Sequence, residues 1–409
     1  MTKKSPETVT SDRNGHRVSP RIWGALLVLG IMLLASNLRP SLTSVSPLIG
    51  QIRTDTGISN GVAGLLTTLP LLAFGLLSPI APRLAHKFGM ERILLTSLLV
   101  LVAGILLRSA GAIALLFLGT AVLGAAIAVG NVLLPSLVKR EFPERAGLMT
   151  SVYVTALGIS AALAAGVSFP ITQLGIGWRA SLSSWALLAL LAAVVWIPQI
   201  RSDRPASASA ETSQEVSGLW RSSLAWQVTL FMGLQSLAYY VVLTWLPEIL
   251  QEEGGMSASR AGWMLALAQA VGIASMFLAP VLAERRPSQR GAVMGAVTLT
   301  GAGTLGLLLA ADTATALWVV ILGLGQGACF SLALTFFALR TPDSKHAAAL
   351  SGMAQSVGYL LAAVGPFLFG ALHDATHAWT VPLALLFAVV VGLLLTGLGA
   401  ARDANVGEP

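Results

Sequence analysis

Repetition restricts the fold of this chain more than any other feature: stretches of about 20 apolar residues, enough to cross a bilayer as a helix, recur along almost the whole sequence. They run from residue 22 nearly to the end of 409 residues. Inside a bilayer the backbone N–H and C=O groups meet no water, so an apolar segment of that length is stable when it satisfies them internally as a helix. Only 11% of the residues are charged and 55% are apolar, against roughly a quarter charged in soluble domains. No water-soluble fold hides that much apolar surface. Breaks at Gly, Pro and charge clusters predict helices near 22–50, 60–82, 92–108, 113–138, 146–173 and 180–199, then near 222–250, 258–283, 291–310, 314–339, 347–372 and 380–399. The expected fold class is an all-α integral membrane protein of about twelve transmembrane helices in two pseudo-symmetric six-helix bundles.

The net charge of +7 raises nucleic acid as a partner, but the basic residues sit at helix ends and no aromatic-interleaved basic patch occurs. Their placement sets topology instead. With the N-terminus inside, Lys87, Arg92, Lys139, Arg140, Arg145, Arg290, Arg340, Lys345 and Arg402 share one side with many others, and the opposite turns hold Arg53, Arg108, Arg179 and Arg260. The positive-inside rule then puts both termini in the cytoplasm. Residues 1–20 are polar, and the apolar segment behind them is too long for a signal-peptide core, so it is expected to be a retained helix. The expected organisation is a cytoplasmic tail over 1–21, a six-helix bundle over 22–199, a polar linker over 200–221, a second bundle over 222–399 and a tail over 400–409. The single Cys329 lies in an apolar stretch and is expected to be a packing residue.

The halves look like copies at an offset close to 200 residues: Pro47-Leu-Ile answers Pro247-Glu-Ile, Ala81-Pro82 answers Ala279-Pro280, and the basic loop Arg140 to Arg145 answers Arg340 to Lys345. A parallel repeat of six-helix units is the sequence mark of a transporter whose halves rock about a site near the midplane. Gly158, Ala162 and Gly166 stand four apart, as do Gly358 and Ala362; small residues at that spacing let helices pack closely in lipid.

Charge inside a span is costly and therefore informative. Arg39 lies about 25 Å up the first helix at 1.5 Å per residue, in the polar, proline-broken stretch Asn37-Leu-Arg-Pro40. Its planar fork of donors suits an anionic or polar substrate; the structural alternative is an arginine that bonds helix-end carbonyls. Tyr239 and Tyr240 fall where Arg39 and Pro40 map under the offset, with Gln235 one turn before them. Together with Gln269, Gln326, Gln355 and Tyr359 they form the candidate second wall, each also able to serve as a helix-to-helix hydrogen bond.

By the same reading no Asp, Glu or His lies at the middle of a span, so a buried carboxylate relay is not expected. Proton coupling, as a possible partner of transport, then depends on Glu248, near the outer end of the seventh helix, or on the substrate itself. His373 and His377 are placed in an outer loop as solvated residues whose nearest acid is Asp374. No metal site, cofactor or catalytic constellation is expected. Gly323 to Gly327 lack a Walker lysine, so no ATPase module is expected either.

The connection Pro82-Arg-Leu-Ala-His86-Lys87-Phe-Gly89-Met-Glu91-Arg92 resembles the loop between helices two and three of the major facilitator superfamily, Gly89 and Arg92 matching. It departs where the usual acid is His86 and a usual base is Glu91. Asn37 to Pro40, Gly64 to Pro70, Gly130 to Pro135, Trp245-Leu-Pro247 and Ala349 to Tyr359 are similar to the cyanate and 2-nitroimidazole permease family. Phe88 to Arg92, Ser223 to Leu230 and Ala349 to Tyr359 are nearest to its nitroimidazole-exporting members, and Asn37 to Pro40 to its cyanate-carrying ones. The resemblance implies the twelve-helix superfamily fold, a bacterial inner-membrane location and passage of a small planar or linear nitrogen-containing solute. His86, Lys87, Gly89 and Arg92 would form its gating loop. Export of 2-nitroimidazole-like compounds is expected, the rivals being uptake or exchange of a small anion such as cyanate and a non-transporting receptor or scaffold.

Overall fold

The computed structural model describes residues 20–202, 219–284 and 288–406. Most of the tail expected over 1–21, most of the linker over 200–221 and the last three residues lie outside the described residues. Every regular element among the described residues is helical. The first crossing runs through Pro20–Asn37, Pro40–Thr43, Ser46–Leu48 and Ile49–Thr56 in succession. The second to sixth are Asn60–Leu77, Met90–Arg108, Ile113–Glu141, Ala146–Ile171 and Gly177–Trp196. The seventh to twelfth are Ser223–Glu252, Ala258–Glu284, Arg290–Ala310, Thr315–Leu339, Ser344–Thr376 and Thr380–Ala400. Eleven continuous segments are long and apolar enough to cross a membrane, and one of them, Pro143–Ile200, has 58 residues. That segment crosses twice. Gly175 and Gly177 take φ of 83° and 72°, which glycine adopts at little cost, and the returning Ser181 hydroxyl donates to the Ser168 carbonyl at 2.7 Å.

Two boundaries differ from expectation. The first crossing continues to Thr56 rather than ending near 50, because Ile49 and Ile52 are buried against neighbouring helices. The second stops at Leu77, and a separate amphipathic helix, Ala81–Phe88, follows with Pro82 in its first turn. Gly89 joins it to the third crossing at φ 88°, which accounts for a glycine at that point of the loop.

Contacts between the halves run mainly along two pairs, the second with the eleventh crossing and the fifth with the eighth. Glycines set both. A Cβ on Gly64 would lie 2.3 Å from the Pro366 carbonyl oxygen, and one on Gly370 2.5 Å from that of Asn60. On the other side, a Cβ on Gly166 would lie 2.7 Å from the Trp263 ring, and one on Gly262 2.8 Å from the Ala165 carbonyl oxygen. Gly158 abuts Ile273 and Gly358 abuts Gly233, so these small residues serve close approach, as their spacing predicts.

The repeat is visible in contacts as well as in sequence. At the end carrying the basic loops, Arg140 in the last turn of the fourth crossing pairs with Glu91 at the start of the third. In the second half Arg340, after the tenth, hydrogen-bonds Gln289 at the start of the ninth. Arg340 Nε also donates to the Ala400 carbonyl at 2.9 Å, and burial pulls its guanidinium below its ordinary pKa, with Asp403 opposing.

Gly64→Ala puts a methyl group into the backbone of the eleventh crossing, where neither helix gives way easily. The expected cost is about 1–3 kcal/mol for overpacking, read as a lowered melting temperature in detergent. Gly24→Ala, where an added Cβ meets nothing within 4 Å, is the control and should melt like the parent.

Candidate functional site

The site begins at a flaw in the first crossing. Pro40 has no N–H, so the helix breaks after Asn37 and restarts at Pro40, with Arg39 at the break. The Arg39 carbonyl is reused at the restart, accepting from the N–H groups of Leu42 at 2.9 Å and Thr43 at 3.0 Å. The side chain crosses to the seventh span. Nη1 donates to the Tyr240 hydroxyl at 2.9 Å, and Cζ lies 5.5 Å from the Tyr239 ring centre and 5.7 Å from that of Tyr240, within cation–π range. The two tyrosine rings meet edge to face at 5.0 Å and 80°.

The eighth span adds Gln269, whose amide donates to the Tyr239 hydroxyl at 2.9 Å. Tyr359 of the eleventh lies 6.5 Å from the Tyr240 ring and 5.6 Å from Phe74 of the second. Five spans from both halves therefore contribute to one linked cluster that includes the guanidinium. No carboxylate among the described residues pairs with it. Its Nε and Nη2 have no protein acceptor there and are not sealed off, so they open onto accessible space.

That space has one open end. From Pro40 to Ile49 and from Tyr240 to Leu250 every residue is buried, whereas Arg39, Tyr239, Gln269, Gln355 and Tyr359 are half-buried. Along these two crossings the chain is therefore closed on the side of Arg39 away from the basic loops.

The remaining expected residues are placed differently. Asn37 turns away from the tyrosines and donates to the carbonyls of Leu33 at 2.8 Å and Leu188 at 3.3 Å, tying the first crossing to the sixth. Gln235 is buried and donates to Ser236 at 2.8 Å, and Gln326 donates to the Ala238 carbonyl at 3.3 Å. Gln355, one turn before Tyr359, donates to Ser351 at 2.8 Å. In the loop, His86 and Lys87 are exposed on the surface helix, Gly89 supplies its turn, and Arg92 faces solvent at the start of the third crossing. The ion pair there belongs to Glu91, the position that departs from the family pattern.

Three placements correct expectations. Arg39 is not alone as an enclosed charge: Arg108, expected in an outer turn, is 1% exposed and reaches back to the Ser41 carbonyl at 2.7 Å. Glu248 is 5% exposed, with Oε1 held where a Cβ on Gly50 would lie 3.0 Å away. His373 is not solvated, although His377 is exposed. His373 lies within the eleventh helix, stacked on Trp379 at 4.3 Å. Its Nε2 donates to Glu252 at 2.8 Å, so Nδ1 accepts from the Asn60 amide at 2.9 Å. Beside it, Asp374 accepts from the Asn60 and Gly61 N–H groups at 3.0 and 2.7 Å, capping the second helix across the boundary between halves. The sequence signal that could have found this latch is Asn60 directly after Ser59, whose side chain caps the second helix.

The Major Facilitator Superfamily model matches residues 26–366. The chain is 48% identical over 95% of its length to the transporter YycB of Bacillus subtilis (strain 168), covering 96% of that protein. It is 43% identical to the 2-nitroimidazole transporter of Escherichia coli (strain K12), over 93% of this chain and 96% of that one. It is 30% identical to the cyanate transport protein CynX of the same strain, over 91% and 96%. In fold it is similar to the D-xylose-proton symporter, with a TM-score of 0.73 at 16% identity over 93% of this chain and 98% of that one.

The Asp374 latch makes one prediction. A carboxylate accepting backbone N–H bonds contributes about 1.5–3 kcal/mol, so Asp374→Ala should raise the fraction open at the far end at least about tenfold. In a Cys329→Ser background, maleimide labelling of Ser46→Cys, a position 2% exposed, should accelerate accordingly. An unchanged labelling rate means that the latch does not hold that end shut.

Proposed function

The chain belongs to the Major Facilitator Superfamily and is a membrane transporter of that type; from that premise we propose that it moves a small, planar, nitrogen-containing solute across the bacterial inner membrane by alternating access, exporting compounds like 2-nitroimidazole. The observation that carries this reading is the Arg39 fork, with Nε and Nη2 unbonded, set against the Tyr239 and Tyr240 rings. Two nearly parallel N–H donors match the two oxygens of a nitro group, and a flat heteroaromatic ring stacks on tyrosine. The 43% identity to a 2-nitroimidazole transporter over nearly the whole chain supports the same solute class.

We take the moving bodies to be residues 22–199 and 222–399, with both termini and the basic loops on the cytoplasmic side. Arg39 and Asn37 in the first body, and Gln235, Tyr239, Tyr240, Gln269, Gln326, Gln355 and Tyr359 in the second, line or support the site. Access from the basic end then presents the site to the cytoplasm, the loading side for an exporter. A second reading, passage of a small anion such as cyanate, is favoured because no carboxylate among the described residues pairs with Arg39: an uncompensated guanidinium in a low-dielectric site attracts any anion of suitable size. Proton coupling, where it operates, depends on Glu248 or on ionisation of the solute.

Arg39→Lys keeps the charge and loses the planar fork, so substrate affinity should fall about tenfold or more, the loss of a charge-assisted hydrogen bond of ~1.5–3 kcal/mol. Tyr240→Phe should weaken it less than Tyr240→Ala, because stacking survives. Wild-type flux in Arg39→Ala at normal abundance sinks the site assignment.

Cells expressing the protein should accumulate less 2-nitroimidazole, and a protonophore should abolish the difference if the proton gradient drives export. Faster cyanate entry with unchanged nitroimidazole accumulation overturns export in favour of the anion reading.

A further inference from the structure

A groove with room for about 420 Å³ lies at the basic end of the second half, lined by Gln227, Arg290, Leu395, Leu398, Gly399 and Arg402. It joins the start of the seventh and ninth crossings to the end of the twelfth, far along the chain from Arg39 and on the outer flank of the bundle. Leu395 is 67% exposed, so one wall faces the hydrocarbon that surrounds a membrane protein. The other wall is cationic and contains no acid.

The arginines are arranged rather than merely near. Arg402 Nη2 donates to Gln227 Oε1 at 3.0 Å and its Nε to the Gly399 carbonyl at 3.2 Å, which orients the guanidinium and leaves Nη1 without a described acceptor. Gly399 permits this fit, since a Cβ there would lie 2.6 Å from the Gln227 carboxamide. The Arg290 guanidinium has no hydrogen-bond partner among the described residues. It opens the ninth helix, whose first turn carries no side-chain cap, so the positive end of a helix dipole stands beside it. Trp220 and Trp226, 5.9 Å apart and both exposed, lie near the start of the seventh crossing, where amphipathic rings mark the level of lipid headgroups.

We propose that this groove binds the headgroup of an anionic phospholipid, its phosphate between Arg290 and Arg402 and the first part of its acyl chain over Leu395 and Leu398. A phosphate supplies acceptors for both guanidinium groups. The leucines favour a lipid over a free ion, because a soluble anion gains nothing from an apolar wall. Basic clefts between helices at a headgroup level are suited to this class of ligand.

The test uses the purified full chain in a neutral detergent, with bound lipid counted by mass spectrometry of the intact complex. Phosphatidylglycerol should bind in preference to phosphatidylcholine with the same chains. Arg290→Gln and Arg402→Gln should each weaken that binding about fivefold, the ratio equivalent to ~1 kcal/mol per basic residue at a membrane surface. If either variant fails to fold, binding by the parent protein decides: it should weaken as salt rises to 1 M, where the screening length is about 3 Å. Equal binding of the two lipids, or phosphatidylglycerol binding unchanged in both variants and by salt, overturns the proposal. Full displacement by inorganic phosphate at concentrations that leave phosphatidylcholine bound identifies a small-anion site instead and also overturns it.

Discussion

A polar group carried into a bilayer must find its partner inside the protein, and in the first crossing one helix cannot supply it. Pro40 removes one N–H from that helix and breaks it, and the Arg39 carbonyl is recruited to restart it. The guanidinium is then left beside that break with nothing to bond on its own helix. Its partner is the Tyr240 hydroxyl on the other half of the molecule. The contact joining the halves at their centre therefore arises from a local defect in one helix, and the cluster of tyrosines is the polar and aromatic surface that makes the defect tolerable.

The position of this contact depends on the repeat. Arg39 and Tyr240 are 201 residues apart, close to the offset that relates the halves, so each occupies nearly the place of the other under the internal two-fold. Two such positions touch only near the axis. The axis is also where motion between halves would displace groups least, which suits the site proposed for a carrier of this kind. The glycine contacts lie away from it, along the second and eleventh and the fifth and eighth crossings, and are of the kind that open and reseal as backbones part. Hydrogen bonds supplement them at the end away from the basic loops, where Asn60 meets Asp374 and His373, and farther along the same pair, where the Thr68 hydroxyl donates to the Ala363 carbonyl at 2.7 Å. The sealed end is thus held by directional bonds, and the open end has the Arg140 to Glu91 and Arg340 to Gln289 contacts within each half.

The crossings, the repeat and the meeting of Arg39 with Tyr239 and Tyr240 were legible in the sequence, because each rests on spacing: helix length, offset, and one charge where lipid allows none. Side-chain direction was not. Asn37 is two residues from Arg39, yet it faces the sixth crossing, since the helix ends at Asn37 and the break turns Arg39 elsewhere. Gln235 and Gln326 are in the right spans but spend their amides on packing contacts. Arg108 misled for a different reason. It ends its helix, where arginine normally extends to water, and only the tertiary fold brings the Ser41 carbonyl within its reach. His373 misled likewise: the eleventh helix runs on to Thr376 and carries it into contact with the second, a continuation that the polar residues around it conceal.

The two halves differ in chemistry where they meet. The first contributes a cation to the centre and the second contributes aromatic rings and hydroxyls, so neither half holds a complete site. In the proposed site, a solute bonded to the open side of Arg39 and stacked on Tyr239 would touch both halves at once and gain the full set of contacts only with them closed around it. Binding energy then favours the closed, solute-filled arrangement over either open one, which lowers the barrier between the open states only when a solute is aboard. A symmetric pair of half-sites, each able to hold the solute alone, would lack that conditional closure. Under the proposed function, the asymmetry between Arg39 and its counterpart Tyr239 couples solute to movement, across the same point at which the Arg39 to Tyr240 bond joins the halves.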